Sequence, residues 1–534
     1  MTEPMTDATL AHAVAQRRTF AIISHPDAGK TTLTEKLLLY ANAIDLAGAV
    51  RTRKHQRHAT SDWMAMERER GISITSTVLQ FSFQEHHFNL LDTPGHQDFS
   101  EDTYRTLMAV DSAVMVLDAA KGIEAQTRKL FEVCRLRQIP ILTFINKLDH
   151  ASMDPLELLD EIERTLQISA VPLNWPIGNG SDFQGVYDVT RHEVLRFTRT
   201  THGQHRAPVQ VTDITDPALS TLIGEAAAQR LRDEIDLLAG AGSTFDLDAF
   251  RAGAMTPVFF GSALNNFGVE PFLHALQYLA PAPNARLSDR GLIDPIEEPF
   301  SGFVFKIQAN MDPLHRDCMA FIRVCSGRFT KDMQVYHPRL ERTIRMTRPH
   351  RVFARERETV QEAVPGDVIG VTNPGLFMIG DTLCSGPPLR YDAIPRFPPE
   401  SFAILRNNNV ARYKQFTKGL EQLEAEGVIQ ILYEATSLRR EPILAAVGDL
   451  QFDVVQARMH SEYGTETTLE RLAFVCARWV NGTPAALERI YLPSRVVATR
   501  DRHGAVVVLF PSEWDREYCI RENPDLEFTE RGTL

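Results

Sequence analysis

The stretch Ser24-His25-Pro26-Asp27-Ala28-Gly29-Lys30-Thr31 follows an apolar run and precedes an amphipathic stretch, Thr32 to Tyr40. It matches the phosphate-loop pattern of glycine, four residues and Gly-Lys-Ser/Thr, except that Ser24 takes the place of the first glycine. Backbone N–H groups between a strand and a helix N-terminus can bind phosphate oxygens. The pattern therefore predicts that Lys30 contacts nucleotide phosphates and that the Thr31 hydroxyl binds Mg²⁺.

Short apolar runs alternate with helical patterns through the first half of the chain. The runs predicted as buried strands are Phe20 to Ser24, Phe88 to Leu91, Ala113 to Leu117, Ile139 to Ile145 and Val258 to Phe260. Such runs suit a parallel-rich sheet covered on both faces, so a doubly wound α/β domain is predicted over residues 1–283. Its ligand should bind at the carboxyl ends of the strands. Asn146 and Ser262 lie far apart in sequence for neighbouring elements of such a domain. This interval predicts an insertion over about residues 167–252.

Two proline clusters mark changes of pattern and predict two further domains. Short alternating strands with glycine and proline turns over residues 297–390 indicate an antiparallel β-barrel. Residues 396–534 combine strands with helices, which indicates an α+β domain of ferredoxin-like type. In this last domain, a helix from Leu450 to Tyr463 is predicted to begin after an Asp449 N-cap and to end at Gly464.

Composition restricts the class of protein. The 534 residues carry a net charge of −12, which excludes a cation that coats nucleic acid non-specifically. The basic run Arg51 to His58 is nevertheless a candidate RNA contact, and a solvated loop is the alternative. Six scattered cysteines indicate free thiols rather than a zinc site or disulfides. We expect no membrane span, because no run of about 18 apolar residues occurs.

The motif Asp92-Thr93-Pro94-Gly95-His96 directly follows a predicted strand. A carboxylate at that strand end can hold Mg²⁺, and we expect Asp92 to do so through water. The amide of Gly95 is then placed to contact a γ-phosphate. His96 is positioned to orient the attacking water.

The stretch Glu67 to Thr75 lies between the two phosphate-binding motifs. In a nucleotide-dependent switch, such a segment is ordered by the γ-phosphate and Mg²⁺. Ser73 would then supply a second hydroxyl to the metal. Ile72 and Pro26 would form an apolar gate beside the attacking water.

The motif Asn146-Lys147-Leu148-Asp149 follows another predicted strand. The Asp149 carboxylate can accept hydrogen bonds from both the N1–H and the exocyclic amine of guanine, a donor pair that adenine lacks. Asn146 would connect this motif to the phosphate loop, and the Lys147 stem would lie on the base. The segment Ser262-Ala263-Leu264 would offer a backbone N–H to guanine O6.

Together, the stretches Arg70 to Thr75 and Asp92 to Phe99 resemble those of translational GTPases. More narrowly, the chain resembles the bacterial peptide chain release factor 3 family along its whole length. The stretches that carry this likeness are Ser24 to Thr31, Phe99 to Leu107 and Trp175 to Gly178. The serine at position 73 replaces the threonine usual among elongation factors, and release factor 3 proteins share this serine.

The resemblance implies a three-domain GTPase of translation termination that binds GTP and GDP. Its GTP form would drive a class I release factor off the ribosome after peptide release, and hydrolysis would then let this protein leave. His96 would act only when large-subunit ribosomal RNA positions it, and no arginine finger is evident. We also expect a monovalent cation near Asp27 and a cytoplasmic monomer. The implied nucleotide contacts are Ser24, His25, Pro26, Asp27, Ala28, Gly29, Lys30, Thr31, Thr32, Asp92, Thr93, Pro94, Gly95, His96, Asn146, Lys147, Leu148, Asp149, Ser262, Ala263 and Leu264.

Three alternatives remain open at this stage. An elongation factor G-like or ribosome-protection protein usually has further C-terminal domains, for which the residues after the α+β domain leave no room. A phosphate-loop kinase or ATPase would bind ATP, and Asp149 argues against it. An RNA-binding scaffold with a degenerate nucleotide site is disfavoured by the intact Lys30, Thr31, Asp92 and His96.

Overall fold

A computed structural model describes the chain in ranges separated by gaps. The described residues are 7–44, 67, 73–198, 209–242, 244–309, 318–353, 356–373, 375–392, 394, 397–434 and 441–530. Strands and helices are numbered in chain order within these ranges. None of the helices described there is long and apolar enough to cross a membrane. All six cysteines fall in the same ranges and have free thiols.

The first domain contains a seven-stranded sheet with helices on both faces. Its strands are β1 (Arg17–Ser24), β2 (Thr77–Phe83), β3 (His86–Asp92), β4 (Ser112–Asp118), β5 (Ile141–Asn146), β6 (Ser169–Pro172) and β11 (Met255–Phe260). Its helices are α1 (Asp7–Ala15), α2 (Lys30–Tyr40), α3 (Ser100–Leu107), α4 (Ala125–Leu136), α5 (Pro155–Leu166) and α9 (Val269–Leu279). The strand order is β2-β3-β1-β4-β5-β11-β6, and only β2 and β3 pair antiparallel. The predicted doubly wound α/β domain is confirmed.

The position of β1 explains its apolar sequence. Successive side chains of a strand point to opposite faces of the sheet. On one face, Phe20 belongs to a buried cluster with Leu37 of α2 and Phe272 of α9. On the other face, Ile23 belongs to a second cluster with Leu130 of α4. Because both faces are covered, nearly every residue of β1 is buried.

A separate antiparallel sheet lies within the predicted insertion. Its strands are β7 (Asn174–Ile177), β8 (Gly185–Asp188), β9 (Glu193–Phe197) and β10 (Val209–Asp213), in the order β10-β9-β8-β7. The helices α6 (Leu219–Ile223), α7 (Glu225–Ala241) and α8 (Leu247–Arg251) follow. Although β6 falls inside the expected limits 167–252, it pairs with β11 in the main sheet. The sheet of the insertion therefore begins after β6.

The second domain is antiparallel, as predicted for the barrel. A hairpin, β12 (Arg286–Ser288) and β13 (Gly291–Ile293), precedes it. The strands of its main sheet are β14 (Ser301–Ala309), β15 (Cys318–Ser326), β17 (Gln334–His337), β18 (Arg342–Arg345), β19 (Pro349–Phe353), β20 (Glu356–Thr359), β22 (Val368–Thr372) and β23 (Thr382–Cys384). Their order is β18-β17-β23-β14-β15-β22-β19-β20, and a short pair, β16 (Phe329–Thr330) with β21 (Glu362–Ala363), lies beside them. One apolar cluster contains residues from both halves of this sheet, as in a barrel.

The C-terminal region contains the predicted ferredoxin-like unit and then repeats it. The first unit consists of β24 (Ser401–Asn407), α10 (Tyr413–Ala425), β25 (Gln430–Glu434), β26 (Pro442–Ala446), α11 (Leu450–Tyr463) and β27 (Thr467–Arg471). The second consists of β28 (Cys476–Asn481), α12 (Pro484–Glu488), β29 (Val497–Arg500), β30 (Val506–Phe510), α13 (Glu513–Glu522) and β31 (Glu527–Thr529). Both are βαββαβ units. Pairing of β25 with β29 joins them into one sheet of order β27-β24-β26-β25-β29-β30-β28-β31.

Helix α11 has the predicted limits and the predicted N-cap residue, but the side chain of that residue does not cap the helix. The Asp449 side chain makes no capping hydrogen bond and instead pairs with Arg471. The first backbone N–H of the helix, on Leu450, donates to Asp98 Oδ2 of the first domain at 2.9 Å. Asp449 therefore occupies the predicted N-cap position, but a carboxylate from another domain makes the capping hydrogen bond.

The barrel contacts the first domain through buried polar groups. Arg17 Nε lies 3.0 Å from Asp367 Oδ1. Arg323, which is 1% exposed, places Nη2 at 2.5 Å from Asp111 Oδ2 and donates from Nη1 to Gly366 O at 2.7 Å. An ion pair this well buried leaves a costly unpaired charge when one partner is removed.

We predict that Arg323→Ala destabilises the contact between the first domain and the barrel by about 3–5 kcal/mol, because Asp111 would stay buried without its partner. Urea unfolding followed by fluorescence and circular dichroism measures this change. The control is Arg135→Ala, which breaks an Arg–Glu pair whose side chains are 54% and 47% exposed and should cost under about 1 kcal/mol. Equal unfolding midpoints for the two variants would contradict the prediction.

Candidate functional site

The phosphate-loop stretch connects β1 to α2 at the carboxyl edge of the main sheet. β1 ends with Ser24, which is buried and pairs with Val116 of β4. The turn after it contains Asp27 at φ 65° and Gly29 at φ 92°, and α2 begins at Lys30. Ser24 has the backbone conformation of the strand and no positive φ. A serine can therefore stand where other phosphate loops have glycine.

The Asn146 carboxamide joins two loops at this edge. Its Nδ2 donates to Ala28 O at 2.9 Å, and its Oδ1 accepts from the Ala263 N–H at 2.9 Å. A Cβ atom on Gly29 would clash with this amide. Leu148, two residues further on, is fully buried. The predicted motifs around residues 24–31, 146–149 and 262–264 thus lie side by side.

Lys147 and Asp149 follow the end of β5, and each lies close to an ionisable side chain. Lys147 has φ 69°, and its Nζ lies 2.9 Å from Asp118 Oδ2. Burial alone would raise the pKa of Asp118, but hydrogen bonds from Lys147 and the Ala120 N–H outweigh it and lower that pKa. Asp149 Oδ2 lies 3.4 Å from His150 Nδ1. Asp118 was not among the predicted site residues, although its position at the end of the buried strand β4 was a usable signal.

The oxygen atoms expected to hold a metal lie near the start of α2. Lys30 Nζ lies 2.9 Å from Asp92 Oδ1, and the other oxygen of Asp92 is buried and has no hydrogen-bond partner among the described residues. The Thr31 and Ser73 hydroxyl oxygens are 3.4 Å apart. Mg²⁺ prefers oxygen ligands and often retains water. Two neighbouring hydroxyls with a buried, unpaired carboxylate oxygen therefore fit this ion.

The segment that contains Ser73 is held by a carboxylate from its own N-terminal side. Glu67 Oε1 accepts from the backbone N–H groups of Ile74 at 3.0 Å and Thr75 at 3.2 Å. Both Ile72 and the basic run of residues 51–58 lie outside the described residues, so the expected gate and RNA contact remain predictions.

The segment Thr93 to His96 continues from β3 past the phosphate loop. The Thr93 hydroxyl donates to a β1 carbonyl oxygen at 2.6 Å. A Cβ atom on Gly95 would lie 3.4 Å from Pro26 Cα, so the two backbones run close together. The His96 side chain is 33% exposed, and its Nδ1 lies 3.1 Å from Asp98 Oδ1.

The remaining predicted residues lie around the same edge. His25 Nε2 is 3.3 Å from Glu124 Oε1. Thr32 is half-buried in the first turn of α2. In the loop after β11, Ser262 is fully buried whereas Leu264 is 52% exposed. The structure thus gathers all the described candidate residues at the carboxyl ends of β1, β3, β5 and β11, where doubly wound sheets bind ligands.

We predict that Gly29→Ala lowers nucleotide affinity by at least about tenfold, which corresponds to about 1.4 kcal/mol. The new methyl group would clash with Asn146 and disfavour the left-handed backbone at φ 92°. Titration with a fluorescent nucleotide measures the affinity. Gly253→Ala is the matched control, since Gly253 has φ 74° but no atom within 4 Å of an added Cβ. A similar loss in both variants would mean that the clash is irrelevant.

Three family models match successive parts of the chain. They are described as the elongation factor Tu GTP binding domain, over residues 15–282, elongation factor G domain 2, over residues 299–386, and the class II release factor RF3 C-terminal domain, over residues 391–520. A crystal structure of a protein from Thermus thermophilus is similar in fold, with a TM-score of 0.68 at 22% identity. The match covers 88% of this chain and 71% of that one.

Curated relatives match at higher identity. The chain is 58% identical over 531 residues to peptide chain release factor 3 of Gloeobacter violaceus, which covers 99% of this chain and 100% of that protein. It is 56% identical to peptide chain release factor 3 of Acaryochloris marina over 520 residues, 97% of this chain and 96% of the relative. With both relatives matched along nearly their full length, the chain belongs to the peptide chain release factor 3 family and is a translational GTPase.

Proposed function

We propose that this GTPase acts in translation termination on the ribosome. Its GTP form promotes dissociation of class I release factors after peptide release, and GTP hydrolysis then releases the protein itself. The observation that carries this proposal is the convergence of the phosphate loop, Asp92, His96 and Asn146 at one sheet edge, in a chain that is 58% identical to a release factor 3. The elongation factor G-like alternative is less well supported, because residues 391–520 match a release factor domain.

Recognition of the nucleotide is divided between two sides of the site. Backbone N–H groups of residues 24–31 bind phosphate oxygens, and Lys30 neutralises charge on the β- and γ-phosphates. Asp149 accepts hydrogen bonds from guanine, and the Lys147 stem lies on the base. The segment Ser262 to Leu264 borders guanine O6. These roles are supported by the hydrogen bonds of Asn146, which keep both sides of the site at a fixed distance.

The metal proposed for this site is Mg²⁺, held by Thr31, Ser73 and, through water, Asp92. When bound, it neutralises charge on the β- and γ-phosphate oxygens. We also propose a monovalent cation near Asp27. The left-handed backbone at Asp27, φ 65°, turns the loop at this point.

In the proposed hydrolysis step, His96 orients the attacking water. It does so when large-subunit ribosomal RNA fixes its side chain, so turnover is slow away from the ribosome. The 33% exposure of His96 supports contact with a partner. We further propose a cytoplasmic monomer with domains at residues 1–283, 297–390 and 396–534. Direct contact with class I release factors would occur on the ribosome.

We predict that Asp149→Asn changes base preference from guanine to xanthine by at least about tenfold. Asparagine keeps one acceptor and gains an amide donor, which pairs with the C2 carbonyl oxygen of xanthine. Competition between GTP and xanthosine triphosphate for the purified protein measures the preference. Asp160→Asn, at a carboxylate that is 72% exposed, should leave it unchanged. If Asp149→Asn still selects GTP, the guanine assignment is wrong.

We predict that His96→Ala retains GTP affinity but loses at least about a hundredfold of ribosome-stimulated turnover, because water is no longer oriented. The experiment follows GTP hydrolysis with and without ribosomes that carry a bound class I release factor, together with release of that factor. His12→Ala, at an exposed position of α1, is the control. Failure of the wild-type protein to release the factor would overturn the role in termination. Normal turnover of His96→Ala would remove this residue from the mechanism.

A further inference from the structure

The Asp98 carboxylate is shared between the nucleotide site and the C-terminal region. Asp98 lies two residues after His96 in a short 3-10 helix, Gln97–Phe99. Its Oδ1 is 3.1 Å from His96 Nδ1, and its Oδ2 accepts from the Leu450 N–H at 2.9 Å. The side chain is 9% exposed. One buried carboxylate thus contacts both the proposed hydrolytic histidine and the start of α11.

The N-terminus of α11 is built to receive this carboxylate. Its backbone N–H groups need acceptors, and a negative charge is favourable there. Asp449, the nearest carboxylate in sequence, is paired with Arg471 instead. A Cβ atom on Gly448 would overlap the Asp98 carboxylate, so only glycine at this position lets the two approach.

Neighbouring contacts hold the two elements together. Phe99 packs with Ile74 and Val454 in a small apolar cluster. Arg105 of α3 donates to the carbonyl oxygens of Glu426 at 3.0 Å and Gly427 at 2.9 Å, just after α10. The contact between Asp98 and α11 is therefore part of a packed interface and not an isolated hydrogen bond.

The position of Asp98 has a consequence for the tautomer of His96. A carboxylate 3.1 Å from Nδ1 favours a proton on that nitrogen, since the N–H can then donate to it. The Asp98 backbone N–H donates a hydrogen bond to the same nitrogen at 3.3 Å, and this bond forms in the opposite tautomer. The closer and charged partner favours the Nδ1–H form. Nε2 then remains free to accept a hydrogen bond from water. Carboxylates orient histidines in this way in other hydrolases.

We propose that Asp98 is a positioning residue that makes the orientation of His96 depend on how α11 is seated. With α11 in place, Asp98 is held at the helix N-terminus and keeps His96 in the Nδ1–H form. When α11 moves away, Asp98 loses this partner and His96 loses its fixed orientation. The inference rests on the proposed role of His96 in hydrolysis. It adds that the C-terminal region controls that step through one side chain.

The first test is Asp98→Asn, assayed in the full-length protein with ribosomes. Asparagine can still accept from Leu450 through its carbonyl oxygen, but its amide would donate to His96 Nδ1 and impose the opposite tautomer. We expect the stimulated kcat for GTP to fall at least tenfold, while KM for ribosomes and GTP affinity stay within twofold. Asp449→Ala, at the carboxylate that does not cap α11, should retain normal kcat.

The second test approaches the same contact from the other domain. Gly448→Ala places a methyl group against Asp98 without changing any residue of the nucleotide site. We expect the same selective loss of kcat. Gly240→Ala is the control, because an added Cβ there meets no atom within 4 Å. Thermal unfolding of each variant identifies any that fail to fold, and those are excluded from the comparison.

A spectroscopic readout distinguishes positioning from a purely structural role. Nuclear magnetic resonance spectra are recorded on protein with ¹⁵N-labelled histidine. The ring signals that the wild type shows and His96→Ala lacks are those of His96. We expect the Nδ1–H tautomer in the wild type and the Nε2–H tautomer in Asp98→Asn. Two results would overturn the inference, provided that His96→Ala is inactive. One is a normal kcat in both Asp98→Asn and Gly448→Ala. The other is an unchanged His96 tautomer in Asp98→Asn. Normal turnover of His96→Ala would instead overturn the proposed role of His96.

Discussion

Two hydrogen bonds of the Asn146 carboxamide connect the parts of the proposed nucleotide site. The amide donates to the phosphate loop at Ala28 and accepts from the loop after β11 at Ala263. Only a side chain with a donor and an acceptor on the same group can do both. Gly29 leaves the space for it, and the parallel order of β1, β4, β5 and β11 brings the loops within its reach. Segments more than one hundred residues apart are thereby fixed by one planar group.

A second constraint operates where the barrel meets the first domain. Lys306 of the barrel donates to the Ser76 carbonyl oxygen, and Asp102 of α3 accepts from the Ser76 N–H at 2.6 Å. Burial lowers the pKa of Lys306, and Asp102 and Glu67 partly offset this effect. An unpaired charge in such a place is costly. The junction therefore favours the arrangement in which the segment after Ser73, α3 and the barrel are all in contact.

Local patterns predicted five of the seven strands of the main sheet and the strand, turn and helix around residues 24–31, because these elements are set mainly by nearby residues. The limits of α11, Leu450 to Tyr463, were predicted for the same reason, with Gly464 as its stop. The capping of that helix by Asp98 could not be predicted, since Asp98 lies 352 residues before Leu450 in the sequence. The second βαββαβ unit was also missed, because its first helix, α12, has only five residues, too few to show a helical pattern. Contacts between domains have no signature in a single stretch of sequence.

Joining the two βαββαβ units edge to edge also reduces the number of sheet edges that can pair with strands of other molecules. Two separate four-stranded sheets would present four free edges, and a free edge can recruit strands from other molecules and start aggregation. The pairing of β25 with β29 leaves only β27 and β31 at the margins of the described sheet. β31 has three residues, and β27 carries Glu470 and Arg471, so both remaining edges are short or charged. The duplicated architecture thus leaves two free edges instead of four while it extends the sheet.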